Sequence, residues 1–246
     1  MKHKQPYFCL PKVALLLLCF ACSWAARAEI SLGARYGAGL TTVYFAPFQN
    51  ETMEATSANF GLAFRYCNRE ATDYDRNMNF IVEFGYADRR YSFNPQTSSS
   101  AQRPLLPLSP GEVGILGKLA TVKAQALEMP LMMQYKLALS QSENVNILIT
   151  GIAYGAYYLK TRVSYLMDEV PKTTYIPRSS LHFQGFEYGV GGGLGFSLRR
   201  GNFDYALDAR YTASMSYLYK PNLPPDVYES MPMQVIFSFS LMYKIR

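Results

Sequence analysis

The sequence predicts an all-β chain, an eight-stranded antiparallel β-barrel that crosses a bilayer, and three observations predict it. Residues 183–215 alternate strictly: Phe186, Tyr188, Val190, Leu194, Phe196 and Leu198 fall on one face, and Glu187, Gly189, Gly191, Gly193, Gly195 and Ser197 on the other. After a tight turn at 199–202 the pattern resumes, with Tyr205, Leu207, Ala209 and Tyr211 opposed to Asp204, Ala206, Asp208, Arg210 and Thr212. Runs of roughly ten residues suit a tilted membrane strand, whereas soluble strands are nearer five or six. The chain is also 49% hydrophobic with a mean hydropathy close to zero, as expected when only every second residue meets lipid. The competing reading is a soluble sandwich or lipocalin-like barrel, whose apolar face would point inward. The glycine run is not a dinucleotide fingerprint: from Gly189 the sixth position is Leu194, and a turn and strand follow where a helix should open.

Residues 1–28 read as a secretory signal peptide, and residues 29–246 as one barrel domain. Lys2, Lys4 and Lys12 precede an apolar run at 13–26, and Ala26-Arg27-Ala28 supplies an Ala-x-Ala cleavage site. The run is shorter than the roughly 20 residues a spanning helix needs. Neither Cys19 nor Cys22 follows a leucine and two small residues, the lipoprotein pattern. The segment holds four basic residues and no acidic one, so its removal lowers the net charge from +6 to +2. The basic balance that would suggest nucleic acid disappears with it. Cys67 alone then remains of the cysteines, which leaves no internal disulfide and no cysteine metal site.

In chain order the first strand covers residues 30–44, with Ile30, Leu32, Ala34, Tyr36, Ala38 and Leu40 outward and Ser31, Gly33, Arg35, Gly37 and Gly39 inward. The second, 58–67, sends Phe60, Leu62, Phe64 and Tyr66 out and Asn59, Gly61, Ala63 and Arg65 in. The third, 78–89, has Phe80, Val82, Phe84 and Tyr86 out and Glu83 and Gly85 in. The fourth, 127–137, opposes Leu127, Met129, Leu131, Met133 and Tyr135 to Glu128, Gln134 and Lys136, and Pro130 predicts a bulge or local break there. The fifth runs over 145–159, with both facings open. The opening hairpin supplies the sixth and seventh, and the eighth, 232–245, faces Val235, Phe237, Phe239, Leu241 and Tyr243 outward. Long polar connections at 94–119, 160–182 and 216–231, and the one containing Pro47, are then the outer loops. The turns near Asn68, Ser140 and Arg200 face the periplasm, together with both termini of a protein in the bacterial outer membrane.

An eight-stranded barrel has an interior that side chains fill, so a diffusion pore is not expected. The inward charges are Arg35, Arg65, Glu83, Glu128, Lys136, Glu187, Asp204, Asp208 and Arg210. Charges so confined must pair. They read as a salt-bridged structural plug, against the alternative of a polar relay or binding site. No catalytic set, cofactor site or metal site is assigned. His182 with Ser179 or Ser180 and an aspartate could be assembled into a triad, but nothing in the spacing selects it. Tyr86, Tyr91, Tyr154, Tyr157, Tyr158, Tyr217 and Tyr219 read as an aromatic girdle at the outer interface.

The run Ala126-Leu127-Glu128-Met129-Pro130-Leu131 resembles the Leu-Glu-(Ile/Met)-Pro-Leu strand motif of the PorT-like outer-membrane barrels of Bacteroidetes. The glycine-rich sixth strand and Ala209-Arg210-Tyr211 of the seventh are similar too, and the resemblance spans most of residues 29–246. The chain departs from many outer-membrane barrels in ending Tyr243-Lys244-Ile245-Arg246 rather than on an aromatic residue. The resemblance implies an accessory or assembly role in type IX (Por) secretion of proteases and adhesins. Partners implied are outer-membrane lipid, the barrel-assembly machinery and other type IX components, with no nucleic acid. A structural or adhesive small barrel and a narrow porin are the competing functions.

Overall fold

The computed structural model describes residues 28–46, 52–53, 55–68, 77–93, 120–139, 144–167, 170–175, 185–217 and 229–245. In chain order the strands are β1 (Ala28–Ala46), β2 (Thr52–Met53), β3 (Ala55–Asn68), β4 (Met78–Phe93), β5 (Ala120–Ala138), β6 (Val145–Met167), β7 (Val170–Tyr175), β8 (Phe186–Arg200), β9 (Phe203–Ser214) and β10 (Glu229–Lys244). Eight of them form the wall. Each wall strand pairs antiparallel with the next in sequence, and β1 pairs with β10 from Ser31↔Lys244 to Ala46↔Glu229, which closes the ring. Closure leaves the wall without an open edge, the condition a sheet must meet in hydrocarbon. The short strands β2 and β7 pair with the ends of β4 and β6.

Burial fixes which way the alternation faces. Phe60, Leu194, Leu207 and Phe237 are each 60% or more exposed on the outer surface, while Arg65 and Glu187 inside are 5% and 2% exposed. Apolar out and polar in is the reverse of a soluble barrel, which excludes the lipocalin-like reading. At the β8–β9 turn Arg200 pairs with Phe203, so the loop is only Gly201-Asn202, and Gly201 takes the left-handed conformation (φ 61°) that the tight reversal requires. Both ends of the described chain share the rim of the short connections, where Ile245 N–H donates to Ile30 O (2.9 Å).

Several local expectations change. The wall strands are longer than their apolar alternation, because hydrogen-bonded pairing continues into polar sequence beyond the lipid-facing band. Thus β6 runs to Met167 and is joined by β7, so residues expected to form a loop from position 160 are paired. The facing of β6 is now defined: Asn146, Leu148, Thr150, Ile152, Tyr154, Ala156 and Tyr158 are buried inside. Pro130 points inward without a bulge, still paired opposite Tyr154 on β6. On its other side the β4–β5 pairing passes from Val82↔Leu131 to Gly85↔Glu128, so the ladder lapses where proline has no N–H to give, which is the local break expected at this position. The register shift in β5 lies between Gln125 and Ala126 instead.

Candidate functional site

The candidate site is the bore, and its chemistry follows from strand parity. Inward positions carry the polar side chains, and pairing brings them together in four clusters stacked from the rim of the short turns to the rim of the long connections. At the first rim Glu29 of β1 meets Arg199 of β8 (Nη2 to Oε1, 2.5 Å) and Lys244 of β10 (Nζ to Oε2, 3.2 Å). Next, Asp204 of β9 accepts from Lys136 Nζ of β5 (2.7 Å) and from Arg65 Nη1 of β3, and Arg65 Nη2 also donates to Ser31 Oγ (3.2 Å).

The third cluster crosses the middle of the bore. Arg210 of β9 donates through Nη1 to both oxygens of Glu83 on β4 (3.2 and 3.1 Å), and its Nε and Nη2 reach Asp208 on the same strand. Ser238 Oγ of β10 donates to Asp208 Oδ1 (2.7 Å), and Arg35 Nε of β1 lies 2.9 Å from Glu83 Oε2 in an ion pair. The fourth cluster is built around Arg89 of β4, 1% exposed. Its Nε donates to Glu128 Oε1 on β5 (2.8 Å), and its Nη1 donates to Glu187 Oε1 and Oε2 on β8 (2.7 and 2.8 Å). Tyr154 and Tyr158 of β6 donate their hydroxyls to Glu187, Tyr154 at 2.6 Å, and the Tyr154 ring lies under the guanidinium at 5.6 Å. Tyr91 completes the group, its hydroxyl 3.5 Å from that of Tyr158.

All nine charges read from the sequence therefore point into the bore, and each belongs to one of the last three clusters. Sequence reasoning missed Arg89, Glu29 and three tyrosines. Arg89 carried a usable signal, since it shares the odd parity of Glu83 and Gly85 on β4. Tyr91, Tyr154 and Tyr158 were expected in an outer girdle, and the structure overturns this: all three are buried in the bore, at 1%, 7% and 6% exposure. Their hydroxyls have carboxylate or hydroxyl partners there, which lipid could not supply. Tyr157 and Tyr188 do face outward. Tyr219, Ser179, Ser180 and His182 lie outside the described residues.

The glycines of β8 gain a reason from this packing. A Cβ on Gly189 would stand 2.6 Å from the Tyr154 ring, and one on Gly195 would stand 2.7 Å from Asp208 Cβ. The bare inner face of β8 is thus the space into which its neighbours' polar side chains lean. A small cavity of about 20 Å³, room for one water molecule, remains between Arg35, Asn59, Glu128, Tyr154, Arg210 and Thr212. Three polar atoms on its wall, Arg35 Nε, Asn59 Oδ1 and Thr212 Oγ1, make no hydrogen bond within the protein. Among the described residues no group of three His, Cys, Asp or Glu side chains is placed to hold a metal ion.

Among solved structures, the chain is similar at low identity to several outer-membrane proteins. Neisserial surface protein A is 13% identical, with 89% of this chain and 99% of that one covered and a TM-score of 0.41. The outer membrane protein OprG of Pseudomonas aeruginosa is 13% identical (89% and 96% covered, TM-score 0.42), and the outer membrane protease OmpT of Escherichia coli is 12% identical (89% and 96%, 0.39). No curated protein matches the sequence. The family described as an outer membrane protein beta-barrel domain matches residues 23–219, most of the chain, and the closed antiparallel wall agrees with that description; the protein belongs to that family.

Proposed function

We propose that the protein is a non-conducting barrel that serves as an accessory or assembly component of protein export across the outer membrane, in the type IX pathway, with its termini and short turns in the periplasm. The observation that carries the reading is the bore itself. Four ion-paired clusters, each joining strands that are not neighbours in the wall, bridge it along its length. An eight-stranded bore of this kind passes neither a folded protein nor a stream of solute. Any work must then be done by the connections at the two rims or by the outer wall, and the barrel catalyses nothing itself.

The assignment to type IX secretion rests on the strand motif at residues 126–131, and the placement of the termini rests on the long connections gathering at the opposite rim. In this reading residues 1–28 are removed on export, and the bore charges are a structural plug. Deleting the gene is expected to trap cargo proteases and adhesins in cell-associated, unprocessed form while detergent sensitivity stays unchanged. Undiminished extracellular protease activity with impaired attachment or envelope integrity would instead identify a structural or adhesive barrel.

A further inference from the structure

Among the described residues the outward face of the wall is apolar along its middle, and cations gather on it on β4, β5 and β6 near the long connections. There Arg90, Lys123 and Arg162 stand opposite one another across three adjacent strands. In the next row toward the membrane the order is Asp88, Gln125 and Lys160. Below that, two residues further along each of β4 and β5, come Tyr86, Leu127 and Tyr157, where the lipid-facing band begins.

The register shift opposite Gln125 creates this patch. Up to Tyr158 the even residues of β6 point into the bore, and continued alternation would have buried Lys160 and Arg162 there. Leu159 is the extra residue of the bulge, so Lys160 falls opposite the outward-facing Gln125, and Arg162 opposite Lys123. Lys160 is exposed as a result, and Arg162 is half-buried.

Asp88 stands among these cations, its carboxylate 3.1 Å from Lys123 Nζ and 3.8 Å from Arg90 Nη2. Toward the same rim, β1, β8 and β9 present Thr42 and Tyr44, Phe186 and Met215 outward. Arg90 lies four residues beyond Tyr86, about 13 Å along the strand and less in depth once the strand tilts. Aromatic rows mark the headgroup boundary, so this is the depth of lipid phosphates.

We propose that Arg90, Lys123, Lys160 and Arg162 form a binding site for the phosphate of an anionic membrane lipid. The lipid lies in the leaflet next to the long connections, with its acyl chains against Tyr86, Leu127 and Tyr157. Arginine offers the phosphate a planar fork of donors and lysine a point charge, while the wall beneath supplies the apolar contact that a soluble phosphate cannot use. The site depends on the membrane-spanning fold and not on the secretion role.

The test is native mass spectrometry of the full chain folded in detergent, titrated separately with phosphatidic acid, phosphatidylglycerol and phosphatidylcholine. The two anionic lipids are expected to be retained over the zwitterionic one. Each cation near a lipid surface is worth about fivefold in affinity, so Arg90→Gln/Lys123→Gln/Arg162→Gln should weaken anionic-lipid binding about a hundredfold. Arg200→Gln, at the opposite rim, should leave it unchanged, and heat-modifiable gel mobility shows that each variant is folded. Retention of phosphatidylcholine equal to the anionic lipids, or unaltered binding by the folded triple variant, overturns the proposal. So does displacement of the bound lipid by millimolar inorganic phosphate, which would make this a soluble-anion site.

Discussion

Arg89→Met should be among the most destabilising single changes in the bore. The guanidinium is 1% exposed and donates at ordinary lengths to Glu128 (2.8 Å) and to both oxygens of Glu187 (2.7 and 2.8 Å). Hydrogen bonds to charged groups contribute about 1.5–3 kcal/mol each, so simple addition over three bonds exceeds about 4.5 kcal/mol. The sum overstates the cost, because Tyr154 and Tyr158 still donate to Glu187 once the arginine is gone. Breaking a buried pair and leaving its partner charged typically costs about 3–5 kcal/mol, and a value near 4 kcal/mol is expected here, with Glu128 losing most. Glu128→Gln keeps an acceptor for Arg89 and leaves one carboxylate against one guanidinium, so about 1–2 kcal/mol is expected. Adding Glu128→Gln and Glu187→Gln to Arg89→Met should recover part of the loss, with a coupling of about 1–3 kcal/mol. The assay is reversible urea unfolding in detergent, followed by tyrosine fluorescence and far-ultraviolet circular dichroism, since Trp24 is the sole tryptophan and belongs to the proposed signal segment. An Arg89→Met barrel within about 0.5 kcal/mol of wild type, or a triple variant no more stable than the single one, would refute the reasoning.

Arg210→Ala leaves Glu83 and Asp208 without their shared partner and should cost about 3 kcal/mol in the same assay, with activity lost only in proportion to protein abundance. A Cβ on Gly39 would lie 1.9 Å from Val235 O, so Gly39→Ala should prevent the native heat-modifiable band from forming. Gly151→Ala meets only Met133 O at 3.9 Å and should gain up to about 0.5–1 kcal/mol. Planar-bilayer recording on the purified protein should show no steady conductance, and large ion-selective steps would contradict a filled bore. In a Cys67→Ser background, a thiol at Asn202→Cys should react with an impermeant label only after the outer membrane is permeabilised, whereas Ser98→Cys should react in intact cells; the reverse pattern would invert the proposed topology.

The sequence by itself determined the class of fold and the direction of most side chains. Alternation at a period of two, sustained for the length a bilayer requires, is a local property of each strand. Parity therefore sends Arg35, Arg65 and Asp204 inward and Phe60, Leu194 and Phe237 outward without reference to any partner. The same parity, carried six residues past Glu83, would also have delivered Arg89. What tertiary structure decided is everything that depends on distance across the bore. Arg89 finds Glu187 98 residues away because β4 and β8 face each other in a closed ring, and no sequence spacing encodes that. Tyr154 and Tyr158 are as suited to a lipid interface as to a bore. Their burial follows from the register of β6 against β8, which lays Tyr154 across a glycine. The shift at Gln125 is likewise invisible in the residues that cause it. A bulge is settled by two strands competing for one set of hydrogen bonds, and here it decides whether Lys160 and Arg162 join the plug or face the membrane.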